Sequence, residues 1–518
     1  MIPLELATIA KITGGTLSDN ANPHALVDGF VEFDSRKITS GGLFVALPGK
    51  HVDGHNFARN AIEQGAAGVL AAKDVGVDAV IVPKAAKLDG DNSELAANDP
   101  DGSAAGVVAG MSKLASYVAT TLTNEHGLSI VGITGSAGKT STKDLVASVL
   151  SAAGQTVAPP GSFNNELGHP YTVLRCTEST KFLVAEMSAR GIGHIAHLAT
   201  IAPPKFGVVL NIGSAHLGEF GSKENIAVAK GELVEALPDA AEGGVAILNA
   251  DDPLVAGMAP RTSARVVTFS AEHSRADYYA TDISLDDVTR ASFMLHSPGN
   301  DPQRVELNVF GAHQVSNALA AAAVGIESGI DAATVARCLS DAHGVSGNRM
   351  DVQTRSDGVT VINDAYNANP DSMRAGIAAL GFTAAARPGV RSIAVLGEMG
   401  ELGGDSVSAH RELGNELARY RVTHLVAVGD NPAMDALKDR ARDRGIHVDS
   451  ARDVDEATSL VKAILSVPPA GEEGWYERDT RDVVLVKASN ALGLWAVANA
   501  LLQGHSMRGH THFGDGER

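Results

Sequence analysis

The chain has 518 residues, which at ~150 residues per domain is room for about three domains. Its 44% hydrophobic content supplies several packed cores, and its formal net charge of −19 speaks against a nucleic-acid partner, because that affinity rests on Lys and Arg neutralising phosphates. A small anionic substrate needs only a local cationic pocket and stays allowed. Two cysteines, Cys176 and Cys338, exclude a disulfide framework and a cysteine-based zinc cluster, and they fit a reducing, cytoplasmic setting. No apolar run reaches ~18 residues, so no membrane span is expected. The opening MIPLELATIAKITGG lacks a basic segment followed by an apolar core and does not read as a signal peptide.

Residues 1 to about 84 mix short apolar runs with turn residues and end on VDAVIVPK. The acidic LDGDNSELAANDPDGS, 88 to 103, reads as an exposed linker. Domain boundaries are therefore expected at 1–100, 101–345 and 346–518. The middle region opens on the helical pattern AAGVVAGMSKLASYVATTL and reaches VGITGSAGKTSTKD, residues 131 to 144. The usual phosphate-loop spacing asks for Gly at position 133, but the chain has Ile133, with Gly132 one place early. The context is nevertheless right. LSIVGIT reads as a buried strand, and the stretch after it puts Leu145, Val146, Val149 and Leu150 on one helical face, with Gly154 expected as C-cap. Backbone N–H groups of a glycine turn at a helix N-terminus suit phosphate oxygens, Lys139 reaches the outer phosphates, and the Thr140 hydroxyl suits magnesium. The alternative is a solvated lysine on an ordinary strand–helix turn.

Further along, KFLVAEMS is a strand ending in Glu186, a hard carboxylate of the kind magnesium takes. Another strand runs into NIGSAHLGEFGS, which carries His216; a lone loop histidine is on general grounds a solvated or capping group. Lys230 falls in a helix with Ile226, Leu233 and Leu237 toward a core, where a lysine is normally a surface residue. From about 346 short β-branched runs (GVTVIND, RSIAVLGE, THLVAVGD, DVVLVKAS) alternate with helical stretches, the pattern of βαβ units and a parallel sheet covered on both faces. The tail, with three histidines in GHSMRGHTHFGDGER, reads as a frayed terminus.

TGSAGKTSTKD, Glu186, NIGSAHLGEFGS, AVAKGEL, GAHQVSNALAAAAVG, GNRMD, INDAYNANPDSM and VLGEMGELG occur in an order that resembles the Mur ligases, the ATP-dependent amide ligases of peptidoglycan precursor synthesis. That family's phosphate loop also lacks the first glycine. The resemblance covers nearly the whole chain and implies an α/β protein of three domains: an N-terminal UDP-sugar-binding domain, a central P-loop ATPase-like parallel-sheet domain and a C-terminal Rossmann-like domain. NDAYNANPDSM with GEMGELG is similar to the member that adds D-alanyl-D-alanine to UDP-MurNAc-tripeptide, so those two substrates, ATP and magnesium are the expected ligands and a monomer the expected form. No DNPR-type signature of the member that adds a third-position diamino acid is found; that enzyme, a folylpolyglutamate synthase-like ligase and a P-loop regulatory ATPase are the rivals.

Residue by residue, the resemblance implies that Gly135, Ser136, Ala137, Gly138, Lys139, Thr140 and Ser141 hold the ATP phosphates. It implies that Thr140, Glu186 and His216 ligate magnesium, and that Lys230 is carbamylated and becomes a further ligand. His313 and Asn317 lie in the adenine segment, Arg349 faces the nucleotide, Asp364 lies near the ribose, and Asp34, Ser35 and Arg36 meet the uridine diphosphate. Two positions depart from the family: Gln314 replaces Asn, and VKASNA replaces a Lys-Gly-Ser-Arg loop, which puts the role of Lys487 in doubt.

Overall fold

A computed structural model of the chain describes residues 1–19, 21–49, 52–86, 98–159, 161–213, 217–286, 288–343, 347–387, 389–400, 402–469 and 481–507. His216, most of the expected linker and the end of the histidine-bearing tail lie outside the described residues. Three main sheets follow one another along the chain. The first has five short strands in the order Thr16–Leu17, Ala79–Ile81, Gly68–Ala71, Leu43–Val45 and Val31–Glu32, parallel except at the first pair. The helix Ser103–His126 starts where the Asp99 carboxylate accepts from the N–H groups of Ala104 and Ala105 at 3.0 and 2.9 Å, which satisfies two donors that a helix start otherwise leaves open. Its apolar face joins Leu6 and Ile9 of the first lobe and Leu183 and Leu233 of the second in one core.

The second sheet has nine strands. Third from one edge is Ser129–Thr134, flanked by Phe206–Val209 and Phe182–Glu186, with all three parallel and buried. Both neighbours follow it in sequence, one on each side, leaving a crevice at its carboxyl end, where ligands bind in such sheets. The far side carries an antiparallel meander, Tyr278–Leu285, Arg290–His296 and Gln303–Phe310, which the sequence reading did not anticipate. A second correction concerns the helix Lys139–Leu150: Ser151 is its C-cap, and Gly154 closes the following turn, its N–H reaching Leu150 O at 3.2 Å. The expected apolar face is otherwise in place, Leu145, Val146, Val149 and Leu150 all being buried.

The third sheet runs Asp351–Thr354, Thr360–Asn363, Val483–Lys487, Ser392–Gly397, His424–Val428 and His447–Ala451, antiparallel only at the first pair. Separate apolar clusters cover its two faces, as the uniformly apolar runs required. Val483–Lys487, the last strand in sequence, is inserted between Thr360–Asn363 and Ser392–Gly397, so Lys487 and the residues after Asn363 lie at the same end of adjacent parallel strands and open onto a crevice. That crevice faces the phosphate loop. No helix among the described residues is long and apolar enough to cross a membrane.

Candidate active site

The strand Ser129–Thr134 delivers the chain into a turn whose shape depends on Gly138. Its φ is +82°, and a Cβ there would lie 2.6 Å from Asn317 Oδ1, so both conformation and space call for glycine. The twelve-residue helix Lys139–Leu150 begins immediately after, turning its unsatisfied N–H groups and positive dipole end toward the crevice. Asn211, just beyond the neighbouring strand, fixes the turn from the side. It accepts from Ala137 N–H at 2.9 Å, donates to Ala137 O at 3.1 Å, and its own carbonyl accepts from Ser136 N–H at 3.1 Å. Lys139 Nζ donates to Gly135 O at 2.7 Å, folded back over the loop.

A cavity of about 390 Å³ lies against this turn. Of the residues expected at the site, Ser136, Ala137, Gly138, Lys139, Thr140, Glu186, Arg349 and Asp364 line it. Thr140 Oγ1 donates to Glu186 Oε2 at 2.9 Å, while Asn164 Nδ2 holds Glu186 Oε1 at 2.7 Å. Two oxygen donors therefore converge, and a side-chain amide orients one of them, which suits a hard divalent cation. Ser162 Oγ lies 3.1 Å from Thr140 Oγ1 and accepts from Arg349 Nη2 at 2.6 Å, so the third lobe touches the phosphate loop through one serine. The Arg349 guanidinium rests on the Tyr366 ring at 4.0 Å.

Two lysines lie near each other at the loop. Burial lowers the Lys139 pKa, with Glu186 opposing and Arg349 adding to the effect. Lys230 is only 3% exposed, on the helix Lys223–Glu235, and not the surface residue that helical position alone suggested. Burial pushes its pKa well down, and Lys139 adds to that. Among the described residues none makes a hydrogen bond to its Nζ, and the burial disfavours its charged form.

Of the other expected residues, Asp34, Ser35 and Arg36 do not line this cavity. Arg36 is exposed and folds onto Asp34, donating through Nε and Nη2 at 2.8 Å each. That pairing holds the Asp34 carboxyl down at about 2. Ser35 is buried beside them in the first lobe. Asn317 packs beneath Gly138 and donates to Gln314 Oε1 at 2.9 Å, so the departure at Gln314 is accommodated by a side-chain pair within one helix. His313 is solvent-reached at the start of that helix, yet the surrounding protein lowers its pKa, with Asp364 opposing. Asp364 itself is fully engaged, accepting from Met350 N–H at 3.1 Å and from Lys487 Nζ at 2.5 Å. Asn211, Ser162, Asn164 and Tyr366 were not singled out in the sequence. Their common signal is weak: polar residues in loops that directly follow, or face, the ends of buried strands.

The chain matches three sequence families in succession: the Mur ligase family catalytic domain over 29–103, the Mur ligase middle domain over 133–325, and the Mur ligase glutamate ligase domain over 348–510. It is 50% identical to the UDP-N-acetylmuramoyl-tripeptide–D-alanyl-D-alanine ligase of Mycobacterium tuberculosis (strain ATCC 25618 / H37Rv), covering 97% of this chain and 98% of that protein. With the enzyme of that name from Bacillus subtilis (strain 168) the identity is 30% over 97% and 99%. Among solved structures, MurF from Acinetobacter baumannii superposes with a TM-score of 0.78 at 26% identity, covering 97% of this chain and 99% of that one. MurF ligase from Thermotoga maritima in complex with ADP gives 0.70 at 26% identity, over 92% and 98%. This chain belongs to the Mur ligase family.

Proposed function

We propose that the chain is an ATP-dependent ligase joining D-alanyl-D-alanine to UDP-N-acetylmuramoyl-tripeptide. One observation carries the reading: the Mycobacterium tuberculosis protein named for that reaction is 50% identical along 97% of this chain, so all three sheets fall within the match. The division at about 100 and 345 into sugar-nucleotide, ATP and Rossmann-like domains is part of the proposal. The sibling reading, addition of a diamino acid, has less support. Positions 430–433 read DNPA, and Ala433, buried at the start of a helix, stands where a DNPR signature has its arginine.

Amide formation from a carboxylate needs a better leaving group than oxide. The tripeptide carboxylate attacks the γ-phosphorus of ATP, the bond to the β–γ bridging oxygen breaks, and an acyl phosphate and ADP result. The dipeptide amine then attacks the acyl carbon, phosphate departs and a proton is released. Bringing two anions together is the obstacle, and the loop N–H groups, Lys139 and Arg349 supply positive charge where it develops. Thr140 and Glu186 would hold magnesium, which supplies further charge neutralisation when bound. Lys230 would join them after its neutral amine adds CO₂ and becomes a carbamate, an oxygen donor of the right sign. Arg36 would meet the diphosphate once it leaves Asp34. Use of ATP and a sugar nucleotide supports a cytoplasmic location, and a monomer is part of the same proposal.

The test is incubation of the protein with ATP, UDP-MurNAc-tripeptide and D-alanyl-D-alanine, with mass analysis for the pentapeptide and a count of phosphate released. Phosphate release that requires all three substrates is expected. Full-rate ATP turnover without the dipeptide would favour the regulatory ATPase instead.

A further inference from the structure

Arg349 sits between two residues in the left-handed region, Asn348 at φ +59° and Met350 at φ +47°. Neither is glycine; asparagine enters this region more readily than other side-chain-bearing residues, whereas Met350 does so only where its surroundings impose it. The third lobe imposes it here through four contacts. Asn363 Nδ2 donates to Asn348 Oδ1 at 2.9 Å, Tyr366 N–H donates to Asn348 O at 3.1 Å, and Met350 N–H donates to Asp364 Oδ1 at 3.1 Å. The fourth is one step removed: Lys487 Nζ donates to Asp364 Oδ2 at 2.5 Å and to Asn367 O at 2.9 Å. The Lys487 side chain is 1% exposed, and its stem passes Gly376 so closely that a Cβ there would be 3.0 Å from Lys487 Cδ. A charge that deep is held for its partner, not for solvent.

We propose that Lys487 is a positioning residue: through Asp364 it clamps the backbone at 348–350 in a strained form that aims Arg349 at Ser162 of the phosphate-loop site. Both Asp364 oxygens take part in this clamp, Oδ1 accepting from Met350 N–H and Oδ2 from Lys487 Nζ. The consequence is directional. Without the anchor, Asn348 and Met350 relax to negative φ, the guanidinium leaves Ser162, and the third lobe loses its polar link to Thr140 and Glu186.

Lys487→Met tests this by two readouts. Hydrogen exchange of the 347–351 segment should quicken at least about ten-fold, and kcat should fall by a similar factor with a smaller change in the KM for ATP. In that background Asn348→Gly with Met350→Gly should recover part of the lost kcat, because glycine enters the left-handed region without the side-chain penalty. A lysine acting directly on substrate would give loss of activity with unchanged exchange and no recovery by the glycine pair, and either result overturns the proposal. If Lys487→Met does not fold, Asp364→Asn weakens the same pair and should quicken the same exchange; an unchanged rate there overturns it equally. The kinetic arm rests on the ligase reading, whereas the exchange arm stands without it, so the two failures are distinguishable.

Discussion

Asn211 grips Ala137 by both polar groups of its backbone, accepting from N–H at 2.9 Å and donating to O at 3.1 Å. Two side-chain hydrogen bonds thus hold the middle of the phosphate loop in one shape before any ligand arrives. Asn211→Ala should lower kcat/KM for ATP by roughly 10- to 100-fold, the equivalent of about 1.4 to 2.7 kcal/mol, with melting temperature little changed. Steady-state kinetics with ATP varied would check it. An unchanged kcat/KM would mean that the loop keeps its shape unaided.

Glu186 takes one hydrogen bond on each oxygen, from Thr140 at 2.9 Å and Asn164 at 2.7 Å. Asn164→Ala removes the group that orients the carboxylate while leaving the carboxylate itself. The magnesium concentration for half-maximal activity should then rise about 10-fold or more, the usual cost of losing an orienting partner behind a metal ligand. A magnesium titration with ATP held saturating reads this directly.

How much of this was legible beforehand depended on how local the determinant was. The phosphate loop could be read because strand, turn and helix are adjacent in sequence and Gly138 and Lys139 announce them. Glu186 could be read because it ends an apolar run. The clamp by Asn211 could not, since it depends on which strand lies beside Ser129–Thr134, and strand order is not written in local periodicity. The burial of Lys230 went the same way: helical spacing puts it on a face, but only the packing of that helix against the second sheet decides that the face is inside. The antiparallel meander escaped because its strands carry many polar, partly exposed residues and read as loop.

Arg36 is exposed and paired with Asp34, so its side chain contributes little to folding. Arg36→Ala should raise the KM for the UDP-sugar peptide by about 10-fold, leave the KM for ATP unchanged and keep the melting temperature within a degree or so. A shift in the ATP constant instead would place Arg36 in the wrong substrate site.

His169 is fully buried in the short helix Gly168–Val173, and burial lowers its pKa from 6.5 to about 4, with the Leu198 backbone opposing. The unfolded chain therefore takes up this proton near pH 6.5 and the folded chain only near pH 4, so stability falls as pH falls through that window. The full loss is about 3 kcal/mol below the lower value. His169→Gln should flatten this part of the profile, measured as urea midpoints at about pH 7 and about pH 4.5. Equal pH sensitivity in both proteins would assign the loss to other groups.

Lys230 carries the last prediction. An ordinary lysine is a cation at neutral pH and would repel magnesium. Burial at 3% exposure and the neighbouring Lys139 disfavour that cation and favour the neutral amine, the form that takes up CO₂. A carbamate there would reverse the sign of the residue and give it oxygen atoms, so a side chain that would oppose metal binding would become suited to it. Lys230→Ala should accordingly lose most ligase activity, by about 100-fold or more, without unfolding, since shortening a buried lysine removes no hydrogen bond made by the described residues. Acetate at millimolar concentration should restore part of the rate in this variant and leave the unsubstituted enzyme unaffected, because a free carboxylate fits the vacated ligand position. Carbon-13 NMR of the unsubstituted enzyme with labelled bicarbonate and magnesium should show a carbamate resonance that is absent in Lys230→Ala. Full activity in Lys230→Ala would overturn the assignment, and so would a labelled spectrum in which the two proteins match.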